Sequence, residues 1–122
     1  MTDGCVGTAE IFSGRPDPEW PLSDRQVAML SRVWAQLPPG QSAPPRAPAL
    51  GYRGCAVRCA SGEEWFAYGG LVTLTHAGVV VQRRDDSRRR FEKALLDTAP
   101  KGVVPEIGIS RDAGRVRRPV RR

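Results

Sequence analysis

Residues that do recognition or acid–base chemistry crowd into one short string, Ser13-Gly14-Arg15-Pro16-Asp17-Pro18-Glu19-Trp20. Arg15 carries a planar fork that suits carboxylates and phosphates. Asp17 and Glu19 are of the type that moves protons, and Trp20 offers a large flat face. Pro16, Pro18 and Pro21 fix their own φ and push the residue before each toward extended backbone, so the segment is a stiff connector. Two expectations follow. Arg15, Asp17, Glu19 and Trp20 form a ligand or partner surface, or they form a filled corner in which Trp20 covers the core and Arg15 is tied to a carbonyl or carboxylate. Convergence of these side chains on one cleft would favour the first.

With Phe12 in front, residues 12–20 resemble the string F-S-G-R-P-N-P-x-W found in small uncharacterised bacterial proteins. Asp17 stands where that pattern has Asn. The resemblance implies no activity.

His76 is the only histidine, so any His-dependent mechanism must use it. Cys5, Cys55, Cys59 and His76 are the residue types of a Cys₃His zinc site. However, Cys55 and Cys59 fall within one extended run, where four steps separate them by about 13 Å, and zinc prefers closer sulfurs on a turn. Buried thiols beside Val57 are the expectation, with neither metal nor cofactor. Three cysteines are an odd count, and in a cytosolic chain they do not suggest a disulfide framework. No phosphate-loop glycine pattern is present.

Charge is the other anomaly. The net charge is +6, but residues 111–122 hold six Arg against the single acid Asp112. The preceding residues carry 13 Lys/Arg and 12 Asp/Glu and are nearly neutral. Arg115, Arg117, Arg118, Arg121 and Arg122 are therefore candidate contacts to phosphates or an acidic partner. A solvated tail is the plainer alternative. A second basic run, Arg83-Arg84 and Arg88-Arg89-Arg90, is interrupted by Asp85-Asp86 and reads as a solvated face or sheet edge. Arginines near a helix start oppose the macrodipole, which leaves an anion site there as the alternative.

The elements that must position these groups begin with a strand at Ala9–Phe12. A helix follows, with Ser23 as N-cap, Gln26 completing a capping box and Leu22 stapling to Val27. Val27, Leu30, Val33, Trp34 and Leu37 recur at helical spacing, and Pro38-Pro39-Gly40 stops the helix. Residues 38–50 hold five prolines and read as a long surface loop. Strands are expected at Tyr52–Cys59, at Trp65–Thr75 with a bend at Gly69-Gly70, and at Val79–Arg84 after a turn at 75–78. A second helix spans roughly Arg88–Thr98 and ends before Pro100 and Gly102, and Val103–Ile109 is a final extended segment.

The order β-α-β-β-β-α predicts an α+β fold. It would have a small antiparallel sheet of about four strands with two helices on one face. One domain is expected over residues 1–109, with a disordered basic tail over 110–122. No run of 18 apolar residues suggests a membrane span, and the first residues lack a leader pattern, so the cytoplasm is the expected location. The functional expectation is a non-enzymatic binding or adaptor protein. Its domain would engage a protein partner while the tail attracts an acidic partner or nucleic acid. The alternative is a small enzyme or ligand-binding domain built on residues 13–21.

Overall fold

The computed structural model describes residues 4–12, 16–41, 43–46 and 51–104. Within them the chain folds into a six-stranded antiparallel sheet and two helices. The strands are β1 (Cys5–Ala9), β2 (Glu19–Pro21), β3 (Cys55–Cys59), β4 (Glu63–Tyr68), β5 (Leu71–His76) and β6 (Val79–Asp85). Helix α1 (Asp24–Gln36) lies between β2 and β3, and α2 (Arg90–Asp97) follows β6. The sheet order is β2-β1-β3-β4-β5-β6. The α+β class holds, with six strands rather than about four.

Both extra strands have local causes. The first strand lies at Cys5–Ala9, not at Ala9–Phe12. Its Gly7, Thr8 and Ala9 carry little apolar bulk, so the strand lacks a visible alternation. That smallness is required: a Cβ on Gly7 would stand 2.7 Å from the Trp20 indole. Part of the stiff connector is itself a strand, β2, pairing Gly7 with Trp20. The expected single strand bent at Gly69-Gly70 is instead two strands. These glycines form the two-residue turn between β4 and β5, both at positive φ, +61° and +90°, as the favoured hairpin turn requires. A bulge does occur, but between Leu74 and Thr75 opposite β6, where Val81 is the extra residue.

Helix α1 begins as the sequence implies. Ser23 accepts from the Gln26 amide, and the Gln26 side chain accepts from the Ser23 amide. Leu22 leaves β2 bonded to the Cys5 carbonyl, and Pro38 accepts from Asp85 of β6. The helix thus runs from one sheet edge to the other. Its 13 residues rise about 20 Å, close to the width of the sheet at about 4.8 Å per strand spacing.

Helix α2 starts at Arg90 rather than Arg88 and is shorter than expected. Asp86 holds the start of this helix. Its carboxylate accepts from the amides of Phe91 and Glu92. Trp20, Cys55, Val57, Trp65, Ala67 and Val72 of the sheet meet Val27, Leu30, Leu37, Phe91, Leu95 and Leu96 of the helical layer in one core. Prolines 44 and 45 lie beside Phe66, Tyr68, Leu71 and Thr73. The beginning of the proline-rich loop is anchored as well, because Pro39 bridges to Arg84 and the Gly40 amide donates to Arg83. Val104 is buried, without a strand. The rest of the expected last segment, and the tail over 110–122, lie outside the described residues.

The cysteines depart from expectation. Cys5 and Cys59 sit directly opposite each other on β1 and β3 and are joined by a disulfide. Their Cα atoms are 4.0 Å apart, the narrow spacing of an antiparallel pair that does not exchange hydrogen bonds. Spacing along one strand could separate Cys55 from Cys59, but it could not reveal a partner 54 residues away on a neighbouring strand. Only Cys55 remains a buried free thiol.

Candidate functional site

The proline-rich corner is closed by its own chemistry. Asp17 Oδ1 accepts from the amides of Ile11 at 2.9 Å and Phe12 at 2.8 Å. Burial works against this charge, but the two amides outweigh it and hold the carboxyl below its ordinary range. The Pro18 carbonyl accepts from the Ala9 amide and from the Thr8 hydroxyl. Trp20 is 2% exposed and donates its indole N–H to Thr98 Oγ1 at 2.8 Å. Thr98 lies at the C-terminal cap of α2 and passes its own hydroxyl proton to the Leu95 carbonyl. Trp20 therefore links the sheet edge to the end of α2. Glu19 points the other way, to Arg58, which also lies near Glu10 and Glu64. Asp17, Glu19 and Trp20 are thus spread over three environments and do not meet in one cleft. Ser13, Gly14 and Arg15 lie outside the described residues, as do Arg115, Arg117, Arg118, Arg121 and Arg122.

A second polar cluster, not foreseen from the residue pattern, lies under α2. The Tyr52 hydroxyl donates to Glu92 Oε2, and the Cys55 thiol points at the Glu92 carbonyl. Glu92 Oε1 has no hydrogen-bond partner. Burial pushes the Glu92 carboxyl up, against the lowering effect of the Tyr52 bond. Burial likewise pushes the Cys55 thiol and the Tyr52 phenol up. A thiol held protonated is a poor nucleophile, so this cluster is built for packing. A glutamate at an amphipathic-helix position signals nothing about direction, and here it faces inward beside Phe91.

His76 is exposed at the β5–β6 turn, with its Nε2 3.3 Å from the Ser61 carbonyl. Cys59 is joined to Cys5 in the structure, and in that oxidised state it offers neither a thiolate to His76 nor a sulfur to a metal.

The outward-facing chemistry is elsewhere, on β6 and the turn that follows it. Val79, Val80 and Val81 are 68%, 46% and 60% exposed at the sheet's edge. The end of this strand is covered, since residues 38–40 bond to Arg83 and Asp85. Residues 79–82 have no such neighbour among the described residues. Arg84 folds back over the Trp34 ring at 4.6 Å and donates to the Trp34 carbonyl. Beyond β6, Ser87, Arg88, Arg89 and Lys93 line an open depression of about 530 Å³.

No family model matches the chain, and neither the curated proteins nor the solved structures contain a match to it. No helix among the described residues is long and apolar enough to cross a membrane.

Proposed function

We propose that this is a non-enzymatic binding or adaptor protein that takes a protein partner along the open end of β6. The carrying observation is the run of three exposed valines on an edge strand, residues 79–81. A strand edge offers unpaired amides and carbonyls to an incoming extended segment, and side chains alternating along it supply specificity. The arginine-rich stretch 111–122 supports the same reading through its charge. It would add attraction to an acidic partner or to nucleic acid. The alternative, a site on residues 13–21, has less support, because Asp17 and Trp20 are bonded within the fold.

The test uses the full chain, a chain lacking 111–122 and Val81→Lys, each against a partner captured from cells. Removing the tail should weaken binding and flatten its salt dependence. Six arginines on phosphates would account for a slope of log K against log salt of at most about −5. Val81→Lys should abolish capture while leaving stability within about 0.5 kcal/mol, as for most surface substitutions. Unchanged binding in both variants would sink the reading.

The cytoplasm is the location we infer, and Cys5–Cys59 tests it. Cytosolic thiols are kept reduced, whereas disulfides persist in oxidising compartments. Alkylation of the protein at the moment of cell lysis should find both cysteines as thiols. A fully oxidised pair would place the protein in an oxidising compartment.

A further inference from the structure

We infer that the depression bounded by Ser87, Arg88, Arg89 and Lys93 is a binding site for a compact phosphate-bearing anion, such as a phosphate monoester or a diphosphate. Three cations and a hydroxyl line it. All three ion pairs among the described residues belong to Arg58, and none involves these cations. Two acids in the same segment are spent within the fold, although Glu92 still feels the charges of Arg89 and Lys93. Asp86 is buried and spends its carboxylate on the amides of Phe91 and Glu92. Glu92 is buried and bonded to Tyr52. What faces solvent there is positive charge and a Ser hydroxyl.

The helix start does not make this site. Asp86 already holds the first amides of α2, so an anion would be bound by side chains. Arginine gives planar, two-pronged bonds to phosphate oxygens and lysine a mobile point charge.

The backbone at Arg89 adds an independent observation. Arg89 has φ +56° and ψ +33°, a left-handed conformation. That conformation is disfavoured for a non-glycine residue, and glycine adopts it freely. Arg89 also opposes the helix macrodipole and makes no side-chain capping bond. Three local preferences are thus set aside to place a guanidinium at this point. Strain of this kind clusters at functional sites.

Size and surroundings favour a compact ligand over an extended polyanion. Small-molecule sites occupy about 300–1,000 Å³, and this depression, about 530 Å³, falls inside that range while remaining open. Acidic residues bracket the cationic run in sequence, Asp85 at the end of β6 and Asp97 at the end of α2, so the positive charge is confined to a short segment.

The test is a titration of the full-length protein, followed by backbone amide shifts, with inorganic phosphate, pyrophosphate and phosphoserine as separate probes. A short single-stranded oligonucleotide serves as a fourth. Saturable shifts are expected at Ser87, Arg88, Arg89 and Lys93. Arg89→Gly should weaken binding at least about tenfold, a 1.4 kcal/mol change, and should raise Tm, because it relieves the left-handed strain. Arg25→Ala, exposed on α1, should leave this binding unchanged. Binding of phosphoserine but not phosphate would assign the ester, and equal binding would assign the free ion. Shifts confined to 111–122, or full affinity in Arg89→Gly, would overturn the inference. Tighter binding of the oligonucleotide at residues 87–93 than of pyrophosphate would also overturn it.

Discussion

Residues 16–21 and residues 79–93 carry similar kinds of side chains and use them in opposite ways. In the first segment the carboxylate of Asp17 faces backbone amides, and the indole of Trp20 faces the core. In the second the valines of β6 face solvent, and Arg88, Arg89 and Lys93 line an open surface. Within residues 16–21, Asp17, Pro18 and Trp20 serve the fold. Prolines explain why: a segment with fixed φ is suited to closing a corner, and its polar groups are consumed in holding that corner shut. In the second segment Arg84, Asp86, Phe91 and Glu92 also serve the fold, but Val79, Val80, Val81, Arg88, Arg89 and Lys93 face outward.

If the corner is structural, its variants should lose stability and nothing else. Trp20→Ala should have the largest effect. It empties a buried site over Gly7 and removes the bond to Thr98, and such truncations cost about 3–5 kcal/mol. Urea denaturation measures the loss, and a cost near zero would reopen the corner as a surface site.

The Cys5–Cys59 bridge should come next. It closes a loop spanning 54 residues and ties β1, the strand that Trp20 covers, to the centre of the sheet. Replacing both cysteines with Ser should cost about 2–4 kcal/mol relative to the oxidised protein. Melting with and without reductant should show the same difference in the wild type and none in the double variant.

The smallest effect concerns Asp17. Its carboxyl titrates below its ordinary range in the folded protein. The charge therefore stabilises the fold above the ordinary Asp range, and that contribution is lost as pH falls through the lowered folded value. Asp17→Asn keeps an acceptor oxygen but loses the charge-assisted part of two bonds, worth about 1 kcal/mol. The variant should be less stable at neutral pH and should converge on the wild type in acid. A constant difference across pH would mean that the charge is irrelevant there.

The contrast also explains what was legible in the sequence. Helix α1 was readable because Ser23, Gln26 and the Leu22–Val27 staple are local signals, and local bonds satisfy them. The β5–β6 turn at Ala77-Gly78 was readable for the same reason. The disulfide was not, because it depends on the register of β1 against β3. Strand β2 was hidden by prolines that read as a connector, and β1 by small residues whose smallness serves Trp20. The left-handed Arg89 carries no sequence signature. The exposed valines read as an ordinary strand, since only the sheet order makes β6 an edge.

Amide and indole hydrogen exchange on the free protein compares the two regions in one experiment. The Ile11 and Phe12 amides and the Trp20 indole proton should exchange only with global unfolding. The outward-facing amides between Val79 and Gln82 should exchange orders of magnitude faster. Equal protection in the two regions, or a Trp20 indole exchanging as fast as the β6 edge, would contradict this contrast.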